Sequence, residues 1–419
     1  MADLFLRLPT DARQIEALAR PGTGHAAPAA APQPHSIVFE LITDIAGFEA
    51  LEADWAALMV RSGRPEQVFQ TFAWCWHWSR HYLAAPGRRR GARLAIVTGR
   101  SDGQLVLLMP FVVTRTAGLT CLSWMGEPVS QYGDVIADAT AADRTSLEAG
   151  LRFAAEATGT DLVNLRKVRA DAVIAPLLTR LVTTVTGTEE APFMALGAAP
   201  DYAAFEARLP AKARKNRRRY LRRLEEHGSV TIEEHSGTET ASRLAAHTIR
   251  MKRASLKARG QISPTLADPR FAAFFADVAH GRGRPAGCRI LALRSAGEVT
   301  ALQISIDHAA ARFLHVAVYS PKFEKCGVGG LLLERATADC YARGIKTFDL
   351  LAPRHDYKLE FAEVAVTVND HALGLTLAGQ AYVRCLLGMR GRLKRRLETL
   401  PAPIRRAVDG LAARLKRRG

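Results

Sequence analysis

The hydrophobic pattern along this chain switches repeatedly between a period of two and a period of three to four residues, and the switches mark its elements. Ser36 to Thr43 reads as a strand, Ile45 to Met59 as an amphipathic helix, and Val68 to Tyr82 as a second helical region. Arg93 to Thr98 and Gln104 to Val113 read as strands joined at Ser101-Asp102-Gly103, a hairpin-type turn. The same strand-turn-strand pattern returns as Arg289 to Arg294 and Val299 to Ile306, joined at Ser295-Ala296-Gly297, after a helical region from about Glu239 to Ala279. This weak internal repeat implies two similar halves.

The clearest unit lies downstream. Phe313-Leu314-His315-Val316-Ala317-Val318-Tyr319 has strand period and breaks at Ser320-Pro321. Glu324-Lys325-Cys326-Gly327-Val328-Gly329-Gly330 follows, and from Leu331 to Arg343 the apolar positions Leu332, Leu333, Ala336, Cys340 and Tyr341 recur at helical spacing. Gly344 supplies a stop signal, and Lys346 to Leu351 reads as the next strand. Glycine has no Cβ, so backbone N–H groups at such a helix start can approach an anion closely, and the positive end of the helix adds to the attraction. Pyrophosphate is the natural guest; tight packing is the other use of such glycines.

At these residues the chain resembles the GNAT acyltransferase superfamily, whose signature Q/R-x-x-G-x-G/A follows a strand and opens a helix. Glu324-Lys325-Cys326-Gly327-Val328-Gly329 supplies both glycines, with Glu324 where Gln or Arg is usual. Within the superfamily it is similar to the CelD/BcsL-like family associated with cellulose and exopolysaccharide biosynthesis. The likeness runs through Gly327-Val328-Gly329, Leu331-Leu332-Leu333, Phe348-Asp349 and Tyr357-Lys358-Leu359-Glu360-Phe361. Upstream it includes Pro210 to Asn216, Arg223 to Glu226, Gly228 and the Trp-rich Phe69 to Trp78 stretch, and it covers most of residues 38 to 372.

The resemblance implies an α/β (α+β) chain of tandem GNAT-like domains, each a mixed, mainly antiparallel sheet flanked by helices. It implies acetyl-CoA or another acyl-CoA as co-substrate, no metal, and direct N- or O-acylation of a sugar, a polysaccharide precursor or a small amine or alcohol. It places the cofactor at Val316, Val318, Cys326, Gly327, Val328, Gly329 and Gly330. Two other readings stand beside it. One is a FemAB-like transferase dependent on aminoacyl-tRNA, in which basic stripes would hold RNA; the other is a non-catalytic GNAT scaffold in envelope polysaccharide synthesis, for which the repulsive charge of Glu324 speaks. The glycine loop favours CoA, and the long charged helical hairpin of FemAB proteins is not visible, so nucleic acid is expected only under the tRNA reading.

Composition adds bounds. A chain of 419 residues suggests about two domains. The six cysteines show no C-x-x-C pair or His-coupled metal spacing, which suits a reducing cytoplasm. No segment approaches the ~20 apolar residues that span a bilayer. The net charge of +17 is concentrated: residues 208–223 hold nine Lys/Arg and no acid, and residues 384–419 hold twelve against Glu398 and Asp409. These two stripes account for the whole positive excess, so a general nucleic-acid surface is not required.

The expected organisation is a disordered leader over 1–36, an N-terminal GNAT-like pseudo-domain over 37–200, a basic linker helix over 201–228, a C-terminal acyltransferase domain over 229–372 and a basic amphipathic helical tail over 373–419. The linker's basic run reads as a solvated face or as a dock for an acidic partner. The tail reads either as a peripheral contact to the inner face of an anionic membrane or as a helix packed on the catalytic domain. Gly126 to Asp134 stands where the first half would carry its glycine loop but precedes a strand; Tyr132 and Asp134 face an inter-domain groove, or else form a turn with a buried tyrosine.

Transfer from a thioester requires a deprotonated acceptor, a polarised carbonyl and a proton for the departing thiolate. The candidates are Asp349, Tyr357, Lys358 and His315. Asp349 lies in an apolar strand that can raise its pKa, as a base or as a structural carboxylate paired with Lys358. Lys358 suits the developing oxyanion or an acidic acceptor, and Tyr357 suits proton donation to the thiolate. His315 reads as a satisfied histidine or an alternative centre. His355 lies in a loop that could be mobile, and Cys326 reads as loop packing.

Overall fold

The computed structural model describes residues 37–83, 91–181, 183–261 and 263–387. The expected leader and the tail beyond 387 lie outside these. Among the described residues thirteen strands form one sheet: β1 (Val38–Ile42), β2 (Arg93–Ser101), β3 (Gln104–Thr116), β4 (Leu119–Trp124), β5 (Ile136–Ala137), β6 (Leu162–Arg169), β7 (Thr184–Ala195), β8 (Val230–His235), β9 (Cys288–Ser295), β10 (Glu298–His308), β11 (Ala311–Tyr319), β12 (Thr347–Asp349) and β13 (Val364–Gly374). Their order is β1-β2-β3-β4-β6-β13-β7-β12-β11-β10-β9-β8, with β5 on β3.

The repeat foreseen from the hairpins is present. β1 to β4 and β8 to β11 are antiparallel meanders, and each hands over to a parallel partner, β4 to β6 and β11 to β12. A parallel pair needs a crossover, supplied by the helices Arg144–Thr158 and Val328–Ala342. The hairpins close as expected on residues with positive φ, Asp102 and Gly103 in the first half and Ala296 and Gly297 in the second.

The last strand of each half then completes the other. β7, from the first half, pairs with β12, while β13, from the second, pairs with β6, and the two exchanged strands pair with each other. The expected boundaries near 200 and 228 therefore separate the repeats along the chain but not across the sheet. Packing follows the same plan. Leu94 and Ile96 of β2 share one apolar cluster with Ile290 and Ala292 of β9, so one face carries a core common to both halves. Ala95 and Val97 enter a second cluster and Leu291 and Leu293 a third, so the opposite face has one core per half. Arg312, fully buried, bonds Asp307 at 2.7 Å and Asp339 at 2.9 Å, pinning the 328–342 helix to the sheet.

Several elements differ from their sequence pattern. The helix expected over 45–59 is two, Ile45–Ala50 and Glu52–Ser62. The basic helix expected over 201–228 breaks at Pro210 into Tyr202–Arg208 and Ala211–Glu225, because proline cannot donate to the preceding turn. The helical region 239–279 is three helices, interrupted by Gly260 at φ 71° and restarted at Pro264 and Pro269. Residues 373–387 also leave the expected tail: Gly374 ends β13, and Val383 is buried beside Cys121 and Leu162.

All five tryptophans lie in the first half, whereas β13 is coded in the second. Truncating the chain after Glu363 removes the strand between β6 and β7. Urea unfolding followed by tryptophan emission is expected to lose most of its stability, in one transition that coincides with far-UV circular dichroism in the parent. An unchanged tryptophan midpoint in the truncated chain would show that the first half stands alone.

Candidate functional site

β11 and β12 run parallel but pair only through Ala311 with Thr347, Arg312 with Phe348 and Phe313 with Asp349. β11 then continues to Tyr319 on β10, while the other chain turns off the sheet at Leu351, a non-glycine residue at φ 59°. The strand expected over 346–351 is therefore only three residues long. The two strands part, and a cleft of about 760 Å³ opens between Leu314 to Ala317 on one side and Leu350 to Lys358 on the other. β6 and β7 contribute Lys167 and Glu189, and the 239–258 helix contributes Lys252.

At the far end of β11 the chain makes a short 3₁₀ turn, Pro321–Cys326, before the helix Val328–Ala342. Gly327 has φ 57°, and a Cβ there would stand 2.6 Å from the Tyr220 ring, so this glycine is required by close packing of the basic helix 211–225. Gly329 and Gly330 are different. A Cβ on Gly329 would meet only the Tyr319 ring at 3.6 Å, and one on Gly330 would meet nothing within 4 Å. Their lack of side chains answers no internal packing need, and the first amides of a helix have no preceding helical carbonyl. The Gly330 amide already donates to the Gly327 carbonyl at 3.0 Å, so the amides of interest at this helix start are those of Val328 and Gly329. Cys326 and Val328 are buried packing residues, and Glu324 is exposed.

Asp349 is enclosed. Tyr132 donates to its two oxygens at 3.0 and 2.9 Å, Arg169 Nη1 lies at 3.0 Å, and the Leu351 amide donates at 2.7 Å. Burial pushes its carboxyl from 3.8 up to about 6 against the opposing pull of Arg169 and the amide. It is not part of the cleft wall. Lys358 does not pair with it directly: its Nζ donates to the carbonyls of Leu351 at 2.6 Å and Pro353 at 2.8 Å, and burial lowers its pKa to about 8. Tyr357 lines the cleft and stacks with His355 at 6.1 Å, and burial raises its pKa.

His315 also lines the cleft, set among Phe69, Trp74 and Phe275. Its Nε2 lies 2.6 Å from the Val129 carbonyl, which can only accept, so Nε2 carries the hydrogen and Nδ1 the lone pair. Nδ1 has no hydrogen-bond partner, and burial lowers the ring's pKa to about 4, keeping it neutral at physiological pH. Val316 lines the cleft beside it, and Val318 is buried.

Of the groove residues, Tyr132 is buried on Asp349, while Asp134 is a structural anchor that accepts from Gln67 and from the amides of Val135, Val173 and Ile174. Sequence reasoning missed Arg169, Lys167 and Lys252. No local pattern marks them, because each is a basic residue in a polar stretch that only the tertiary fold brings to the cleft or to Asp349. Among the described residues no cluster of His, Cys, Asp or Glu could hold a metal, and no helix is long and apolar enough to cross a membrane.

Residues 211–359 match a family model described as an acetyltransferase (GNAT) domain, covering the second half up to the start of β13. A search of curated proteins found no match to the chain. Among solved structures, FemX superposes with a TM-score of 0.56 at 9% identity, over 83% of this chain and all of that one. A conserved protein of unknown function from Bacteroides thetaiotaomicron gives 0.50 at 12% identity, over 81% and 100%. A tandem GNAT protein from the clavulanic acid biosynthesis pathway gives 0.43 at 12% identity, over 80% and 98%. The likeness to FemX and the Bacteroides protein extends the architecture to both halves and speaks for the fold alone.

Asp349 binds its proton more tightly in the folded chain than at 3.8, so its contribution to stability falls as pH rises from about 4 to 6, by about 3 kcal/mol at most. Asp349→Asn cannot titrate. The unfolding free energy of the parent minus that of the variant, from urea titrations, is expected to fall by about that amount between pH 4 and pH 7; a difference independent of pH would contradict the assignment.

Proposed function

We propose that this GNAT-type acyltransferase moves an acyl group, acetyl in the simplest case, directly from acyl-CoA to an amine or hydroxyl of a sugar, a polysaccharide precursor or a related small molecule, as expected of a CelD/BcsL-like protein. The observation that carries this reading is the parting of β11 from β12 beside two glycines that internal packing does not require. The amides of Val328 and Gly329 would hold the pyrophosphate. The unpaired edge of β11 from Leu314 to Ala317 would hold the pantetheine arm and lead the thioester into the cleft.

The side chains on that wall divide the chemistry. His315, fixed through Nε2 on the Val129 carbonyl and kept neutral by burial, walls the cleft beside the entering hydroxyl or amine, while its Nδ1 is enclosed and does not reach the acceptor. Lys358 supplies positive charge for the oxygen that becomes negative as the bond forms, held in place by two backbone carbonyls. Tyr357, half exposed at the cleft, donates its proton to the departing thiolate and takes back the proton released by the newly acylated amine or hydroxyl, so that CoA leaves as the thiol. Asp349 acts at one remove: it fixes the Leu351 amide, and Leu351 in turn presents the carbonyl that holds Lys358.

The tRNA-dependent reading gains no support from the likeness to FemX, which extends to fold only. The scaffold reading rests on Glu324, whose side chain is exposed rather than directed into the loop's packing.

Gly329→Val tests the donor site, because the empty loop has room for the side chain while a bound pyrophosphate would not. Calorimetry is expected to show acetyl-CoA affinity reduced at least ~10-fold with the melting temperature unchanged, and charged tRNA binding to neither protein. Unaltered affinity would remove the site from this loop. With an acceptor in hand, Tyr357→Phe and Lys358→Met should each lose ~10²–10⁴ in single-turnover rate while keeping CoA affinity. The parent rate should fall as pH rises through about 8, where Lys358 loses its proton, and Lys358→Arg should delay that fall. Rates within a few-fold of the parent in both variants would place the chemistry elsewhere.

A further inference from the structure

Three lysines converge on the cleft from three separate elements: Lys167 from β6, Lys252 from the 239–258 helix and Lys358 from the turn after β12. Among the described residues, the hydrogen bonds of their ammonium groups go to neutral oxygens. Lys167 Nζ donates to the Ser130 carbonyl at 3.0 Å and to Gln131 Oε1 at 2.8 Å; Lys252 Nζ donates to the Ala317 carbonyl at 3.0 Å; Lys358 Nζ uses the two carbonyls already named. An ammonium has three donors, so each retains at least one N–H beyond these bonds.

Charge on the wall is correspondingly unbalanced. Lys167, Lys252, Arg259 and Lys358 stand against Glu189 and Asp356, with His315 neutral. Burial lowers the pKa of all three lysines, to about 8 for Lys167 and Lys358, and outweighs the opposing pull of Glu127, Asp370 and Glu189 on Lys167 and of Asp349 and Glu189 on Lys358. Two of them are also held by strained backbone. Lys167 itself has φ 57°, its amide tied to Asp370 Oδ1 at 2.8 Å, and Leu351, whose carbonyl holds Lys358, has φ 59°. Left-handed conformations at such residues cost of order 1 kcal/mol or more and persist where surrounding structure enforces them.

We infer that the cleft carries a subsite for an anionic group of the acceptor, a phosphate or a carboxylate, grasped by Lys167 and Lys252 across the two halves, with the charge of Lys358 beside it. This rests on the acyl-CoA reading and narrows it: the amine or hydroxyl that is acylated belongs to a molecule bearing a negative charge. The first half then has a function of its own, because Lys167 and the Gln131 that steadies it come from there, while the donor loop lies wholly in the second half.

The full chain, saturated with acetyl-CoA to occupy the glycine loop, is titrated calorimetrically with inorganic pyrophosphate, citrate and glycerol. Pyrophosphate or citrate is expected to bind at least 10-fold more tightly than glycerol, and more weakly as salt is raised. Tighter pyrophosphate assigns the subsite to phosphate, tighter citrate to carboxylate. Lys252→Met and Lys167→Met should each weaken the anion at least 10-fold, Lys252→Arg should restore most of it, and acetyl-CoA affinity should stay within about 3-fold throughout. Anions that bind no better than glycerol, or that bind both methionine variants as well as the parent, overturn the subsite while leaving the donor site standing. A parent chain that does not bind acetyl-CoA overturns the reading beneath it as well.

Discussion

Two strands that change places govern the rest of this molecule. Because β13 lies between β6 and β7, the second half closes the sheet of the first. Because β7 lies against β12, the first half supports the strand on which the cleft depends. β12 pairs over only three residues and leaves the sheet immediately, and so short a strand needs hydrogen bonds on both edges to be held. β11 gives one edge; Phe193, Met194 and Ala195 of β7 give the other, and the Leu350 amide adds a bond to the Pro192 carbonyl. With β12 fixed from both sides, the chain beyond it can turn away and open the cleft without loosening its floor.

The exchange also explains why buried charge gathers where the halves meet. Asp349 lies at the end of β12 with no water to solvate it, and its partners Tyr132 and Arg169 come from the other half of the chain. Removing one partner of such a group leaves an uncompensated charge, a loss of about 3–5 kcal/mol, so the cluster fixes the relative setting of the halves more than it adds net stability. The same seam presents Lys358, Lys252 and Lys167 to the cleft on neutral oxygens, which keeps their charge available to a ligand. Neutral His315, enclosed among aromatic rings, adds no charge to the wall.

What could be read from the sequence was whatever depends on neighbours in the chain. The Asp102-Gly103 and Ala296-Gly297 turns declare hairpins because few residues accept positive φ, and those hairpins disclosed the repeat. β11, the glycine loop and the 328–342 helix form one continuous stretch, so the loop proposed to hold the donor could be picked out from the chain. β7 was not: Thr184–Ala195 contains Gly187, Glu189, Glu190 and Pro192, and becomes a central strand only because β12 and β13, more than 150 residues later, flank it. Asp349 stood out as a carboxylate in an apolar strand, yet its cage of Tyr132 and Arg169, which removes it from the cleft wall, has no local signature. Lys167 and Lys252 are ordinary lysines until the fold brings them together.

The central claim is that the donor enters where β11 leaves β12 and that its pyrophosphate rests on the following helix. Hydrogen–deuterium exchange of the full chain with and without acetyl-CoA tests this without an acceptor or a substitution. Protection is expected in two segments, Leu314 to Val318 and Cys326 to Leu331, with the corresponding first-half segment, Gly126 to Asp134, unchanged. Protection centred on that first-half segment, or none in either second-half segment at saturating acetyl-CoA, would contradict the account.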